Sequence, residues 1–204
     1  MTIRAVVFDI GGVLEITPPT GWVDIWEARL NLKPGELDQR LTGVWRDGSL
    51  GTISEQDVEQ RVGEILGLDP LQVDAWMSDL WNEYLGELNV ELAAYFASLR
   101  PRYHTAILSN SFVGARRKEH ERYQFGTLCD LILYSHEEGI EKPDPRFFAL
   151  LCERLGVQPQ EIVFLDDFEQ HVVAARAFGM HAILFRNTTQ AIAEIEACLH
   201  AAAS

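Results

Sequence analysis

The chain has 204 residues, 47% apolar and 24% charged, enough for one domain or one and a half with a core that needs no disulfide or structural metal. Acidic residues outnumber basic ones 31 to 17, a formal charge of −14. A surface that negative repels phosphate backbones and anionic lipid, which argues against nucleic acid and membrane surfaces as partners.

No apolar run approaches the ~20 residues of a membrane span, and Met1-Thr2-Ile3-Arg4 does not read as a secretory signal. Cys129, Cys152 and Cys198 show no metal-type spacing and read as reduced thiols of a cytoplasmic protein. In chain order, residues 3–8 are the first of five short apolar runs; the others are 105–108, 131–134, 162–165 and 182–185. Each is strand-length and apolar almost throughout, as strands buried on both faces of a parallel sheet should be.

Residues 9–104 separate the first run from the second, where one helix would suffice. That insert reads as helical. Ser54 and Asp57 resemble a capping box, with Ile53 placed to staple onto Val58. Asp69-Pro70 reads as an N-cap and first-turn proline, and Asn89-Val90 opens the last helix before the second strand. All five tryptophans (Trp22, Trp26, Trp45, Trp76, Trp81) fall within the insert, and at least three are expected to build its core. Beyond it, helical patterns at 112–123, 145–155, 169–178 and 189–202 alternate with the strands, and the tail from 201 is expected to fray. This alternation predicts an α/β fold, a Rossmann-like doubly wound parallel sheet made by residues 1–15 and 89–204. Residues 16–88 form the inserted helical subdomain.

Ligands of an open parallel sheet bind beyond the carboxyl ends of its strands. There the chain carries Asp9 after the first strand, Ser109-Asn110 after the second, Ser135 after the third and Asp166-Asp167 after the fourth. One such Asp is an ordinary turn signal; repetition at successive tips points to a site. Three carboxylates at one edge repel one another and need a divalent cation, and all-oxygen ligation suits Mg2+. The six histidines are scattered, without the spacing of a zinc site. With a metal to neutralise both anions, the chemistry indicated is a carboxylate nucleophile attacking phosphorus. In Glu141-Lys142-Pro143-Asp144-Pro145 the proline after Lys142 disfavours helical geometry, and Asp144 caps a helix opened by Pro145. Lys142 is thus held near a helix N-terminus, where anions bind; a solvated surface lysine is the other reading.

In this order and spacing the residues resemble the haloacid dehalogenase-like superfamily over nearly the whole chain. Phe8-Asp9-Ile10-Gly11-Gly12-Val13-Leu14 resembles its first motif, and Ala106-Ile107-Leu108-Ser109-Asn110 its second. Lys142-Pro143-Asp144-Pro145 resembles the third, and Val163-Phe164-Leu165-Asp166-Asp167 the fourth. The resemblance implies Asp9 as nucleophile, with Ser109, the Asn110 backbone and Lys142 holding the phosphoryl oxygens. Asp9, the Gly11 carbonyl, Asp166 and Asp167 would surround Mg2+, and the insert at 16–88 would be the family's helical cap. The activity implied is a Mg2+-dependent phosphomonoester hydrolase acting on a small phosphorylated metabolite through an aspartyl-phosphate.

The run from Asp166 to Gly179 is similar to a subgroup that includes glucose-1-phosphate phosphatases and the phosphatase domain of some epoxide hydrolases. Those usually carry Asn where His171 stands; His171 could contact the site, but a helix-face histidine is more often structural. Gly11 is a larger departure, because the family's phosphatases usually have there an Asp that protonates the leaving group. It raises the alternative of a catalytically weak or inactive phosphometabolite- or partner-binding protein. The family's 2-haloacid dehalogenases also lack that Asp, but they need no metal and typically lack the Asp166-Asp167 pair, so phosphatase ranks above dehalogenase. Glu15 is close enough in sequence to replace the acid, but reads as a surface residue of a flap loop. Arg116-Arg117-Lys118, beside Glu119 and Glu121, reads as a solvated helix face.

Overall fold

In the computed structural model, which describes residues 2–201, all four residues of β1 (Ala5–Phe8) are shielded from solvent. On one side of β1 lie β4 (His104–Ser109) and then β5 (Leu131–Tyr134); on the other lie β6 (Ile162–Asp166) and then β7 (His181–Leu184). Every neighbouring pair is parallel. Alternate residues of a strand face opposite sides. Val6 and Phe8 pack with Leu92 and Phe96 of α5 (Val90–Ser98) and Ile195 of α10 (Thr188–Ala201). Ala5 and Val7 pack with Phe147 and Leu151 of α8 (Pro145–Leu155) and Val172 of α9 (Glu169–Phe178). Helices on both faces explain the continuous apolar runs, and the doubly wound sheet expected from them is the observed fold.

Boundaries move by one to three residues. The helix expected from 112 begins later, as α6 (Ala115–Tyr123), because Val113 donates its backbone N–H to the Gly48 carbonyl at 3.0 Å instead. The end of the tail expected to fray lies outside the described residues. No helix among the described residues is long and apolar enough to cross a membrane.

Between β2 (Glu15–Ile16) and β3 (Glu87–Leu88) the chain forms α1 (Trp22–Arg29), α2 (Glu36–Ser49), α3 (Glu55–Leu66) and α4 (Pro70–Leu85). Antiparallel pairing of β2 with β3 brings the two ends of this insert together. Ser54 and Asp57 form the expected capping box on α3, and Asp69 and Gln72 form another on α4, behind Pro70. Trp22, Trp26, Trp76 and Trp81 are buried with Leu37, Val58 and Val62, and Trp45 packs against them. The insert therefore has its own core, which extends to Phe112 and Ala115 below it.

At that contact α2 presents Gly48, where an added Cβ would stand 2.1 Å from the Phe112 ring. Gly48→Ala is expected to destabilise the protein by about 1–3 kcal/mol from overpacking, although alanine favours a helix by about 1 kcal/mol. Urea denaturation of the two proteins checks this. The basic run on α6 is in part an interface rather than a solvated face. Arg117 reaches Glu55 of the insert at 3.0 Å, Arg116 pairs with Glu137 at 2.5 Å, and Glu119 is fully buried.

Candidate active site

Because β4 and β6 flank β1, their carboxyl ends bring Ser109, Asp9 and Asp166 side by side. The Asp9 backbone N–H donates to the Leu165 carbonyl at 2.9 Å, continuing the ladder one residue past the strand. Lys142 arrives from the loop before α8 and is only 2% exposed, which rules out the surface reading. Its Nζ lies 2.8 Å from Asp9 Oδ2 and 2.7 Å from Asp166 Oδ2. Asn110 holds the lysine's backbone at both ends: Oδ1 accepts from Lys142 N at 2.7 Å and Nδ2 donates to Lys142 O at 2.8 Å. The Asn110 side chain thus positions Lys142 and leaves only its backbone to face a ligand. Ser109 is buried at the tip of β4, its Oγ 3.4 Å from the Asn110 carbonyl. Asp144 caps α8 as expected, accepting from Arg146 N at 2.9 Å.

The charges do not balance. Burial raises the Asp9 carboxyl to about 7; Lys142 opposes the rise and Asp166 adds to it. Burial also acts against ionisation of Asp166, but the hydrogen bond from His171 and the Lys142 ammonium hold it down at about 2. Burial and Asp166 push Asp167 up as well. One lysine shared by two carboxylates leaves Asp9 the weaker acid, and a divalent cation beside it reverses that. The donor set fits such an ion: one ligand atom each from Asp9, Asp166 and His171 lie within 4.8 Å of one another. The expected ligand Asp167 is not in that group; it is exposed, and its carboxylate lies over Gly12. A Cβ on Gly12, whose φ is +71°, would stand 2.0 Å from Asp167 Oδ2, so this position requires glycine twice over. Gly11 differs: a Cβ there meets nothing within 4 Å.

The model of the haloacid dehalogenase-like hydrolases matches residues 3–179. The chain belongs to that family. It is 28% identical to bifunctional epoxide hydrolase 2 of Sus scrofa, over 96% of this chain and 39% of that protein, and so spans about two fifths of that relative. It is 24% identical to D-ribitol-5-phosphate phosphatase of Bacteroides thetaiotaomicron, over 87% of this chain and 89% of that one. A solved haloacid dehalogenase family enzyme from the same bacterium, in complex with magnesium and inorganic phosphate, superposes with a TM-score of 0.77 at 22% identity. The match covers 90% of this chain and 94% of that structure and reports the shared fold.

Two residues of this haloacid dehalogenase-like hydrolase go against the reading that the sequence favours. His171 stands in the first turn of α9 with Nδ1 3.1 and 3.2 Å from the two carboxylate oxygens of Asp166, so it is part of the site. Glu15 is not a surface residue of a flap; it is 1% exposed and neighbours the buried Glu119. Glu119 accepts a short hydrogen bond from Tyr134, while Oε1 of each glutamate has no hydrogen-bond partner among the described residues.

Burial and then the charge of Glu119 raise Glu15 to about 10, and burial raises Glu119 to about 7. Both folded values exceed the ordinary 4.5, so the folded state binds more protons than the unfolded one above that pH. Stability from this pair is therefore full below about pH 4.5 and is lost as pH rises through 7 toward 10, with a slope of up to about 1.4 kcal/mol per pH unit for each protonated group. Glu15→Gln, which keeps a neutral donor there, is expected to flatten that decline between pH 6 and 9 in urea denaturation. An unchanged slope would place the carboxyl in contact with water.

Proposed function

We propose that this hydrolase is a Mg2+-dependent phosphomonoesterase acting on a small phosphorylated metabolite through an aspartyl-phosphate on Asp9. The observation that carries the reading is the geometry at Asp9: Oδ1 accepts from Ile10 N at 2.8 Å and Oδ2 faces Lys142, which fixes the carboxylate at the sheet edge. An Asp9 oxygen attacks phosphorus and the phosphorus–oxygen bond to the alcohol breaks, its electron pair leaving with that oxygen. Water then attacks the phosphoryl group of the mixed anhydride, releasing inorganic phosphate and restoring the Asp9 carboxylate. Ser109, the Asn110 backbone and Lys142 would hold the phosphoryl oxygens. Asp9, Asp166 and the Gly11 carbonyl would hold Mg2+, with Asp167 beside them over Gly12 rather than among the convergent ligand atoms, and the ion's contribution is to offset the charge of nucleophile and phosphate.

The insert, on this reading, is a cap spanning 16–88 over a core made of 1–15 and 89–204. Its contacts with Phe112 and the start of α6, just past Ser109, support that role. Assaying a panel of phosphorylated metabolites for phosphate release, with Mg2+ and with chelator, tests the whole proposal. Activity that needs the cation supports it; halide release from a 2-haloacid without metal overturns it.

Lys142 carries a separate expectation. Its ammonium meets charge that grows in the transition state, so Lys142→Ala should lower kcat by about 10²–10³-fold. The KM should move far less. A near-normal kcat in the folded variant would assign the phosphoryl oxygens to other groups.

A further inference from the structure

The conformation of α9 aims a nitrogen donor at the carboxylates. Phe168 N–H donates to Asp166 Oδ1 at 2.8 Å, so the carboxylate at the end of β6 anchors the turn into the helix. His171 follows within that turn, its N–H donating to the Phe168 carbonyl at 3.0 Å and its ring 4.9 Å from the Phe168 ring. Its neighbours Glu169 and Gln170 are exposed, whereas the His171 side chain is only 13% exposed. The imidazole is thus oriented from both sides before any ligand binds.

We propose that His171 Nδ1, giving up its hydrogen bond to Asp166 and carrying the ring proton on Nε2 instead, is a direct ligand of the divalent cation held by Asp9 and Asp166, which makes the site a mixed oxygen–nitrogen one that favours Mn2+ or Co2+ over Mg2+. This rests on the metal site of the proposed function. The ligand atoms lie within 4.8 Å of one another. Adjacent ligands at bonds of about 2.1 Å around one ion stand about 3.0 Å apart, close to the 3.1 Å between Nδ1 and Asp166 Oδ1. Lys142 occupies Oδ2 of both aspartates. The Oδ1 atoms each accept one backbone N–H, and a carboxylate oxygen has a second lone pair to offer. Mg2+ keeps to oxygen donors, whereas imidazole suits the later divalent metals. His171 thereby biases the choice of ion without altering the carboxylates.

The test binds Mn2+ and, separately, Mg2+ to the metal-free full chain, to His171→Asn and to Asp9→Asn, by calorimetry and by pulsed electron paramagnetic resonance of bound Mn2+. The wild type is expected to show nitrogen hyperfine coupling from a directly bound imidazole, and His171→Asn to lose it. The variant's Mn2+ affinity should fall by at least the ~10–100-fold that loss of a group hydrogen-bonded to a metal ligand costs, with Mg2+ affinity changed far less. Bound Mn2+ without nitrogen coupling, or an unchanged ratio of Mn2+ to Mg2+ affinity in His171→Asn, overturns the inference while leaving the metal site standing. Failure of the wild type to bind either ion, or binding untouched by Asp9→Asn, overturns the metal site and the inference together. The coupling is read on the wild type, so the outcome does not depend on how well a variant folds.

Discussion

Asp9→Asn is expected to abolish phosphate release, a loss of about 10⁴-fold or more in kcat. An amide has no free carboxylate electron pair to offer phosphorus, and among the described residues no other acidic side chain pairs with Lys142 except Asp166, which His171 and Phe168 N also engage. The fold should survive. The new side chain can accept from either Ile10 N or Lys142 Nζ, but its NH2 group must then face the other donor, a mismatch worth about 1–2 kcal/mol. The measurement is phosphate release in Mg2+ against circular dichroism and urea unfolding of the same preparation. A folded variant turning over at the wild-type rate would remove Asp9 from the chemistry and the aspartyl-phosphate with it.

That Asp9 can be singled out from sequence follows from the sheet. Buried parallel strands must be apolar on both faces, so the first polar residue after each marks a strand tip, and tips lie at one edge. Asp9, Ser109 and Asp166 are legible for that reason, and the order β4-β1-β6 puts them together. Lys142 is not decidable alone, because its burial depends on Asn110, 32 residues away, gripping its backbone at both ends. Glu15 is misread because a glutamate after a glycine-rich turn looks solvated. Its burial comes from the pairing of Glu15 with Leu88 and from α6 bringing Glu119 beside it, neither of which has a local signal. His171 is undecidable from sequence for a geometric reason: five residues after Asp166, across a strand-to-helix turn, it follows neither strand nor helix periodicity. Adjacency groups Asp167 with its neighbour, yet successive residues at a strand end point in opposite directions, and Asp167 turns to Gly12.

Gly11→Asp should fold and should accelerate poor leaving groups by about 10²–10⁴-fold, the worth of a positioned general acid. A Cβ at this position meets nothing within 4 Å, and the φ of Gly11 lies outside the left-handed region, so a side chain is admitted without strain. The wild type has no carboxyl two residues after Asp9, the proposed nucleophile, to protonate a departing alkoxide. Its rate should therefore depend steeply on the stability of that alkoxide, with aryl and anomeric phosphates turned over far better than simple alkyl phosphates. The gain should be large for alkyl esters and small for aryl ones, so a plot of log kcat/KM against leaving-group pKa should flatten in the variant. The same slope in a folded Gly11→Asp enzyme with metal bound would mean that another group already delivers the proton. The missing side chain at Gly11 would then have no bearing on which esters this hydrolase cleaves.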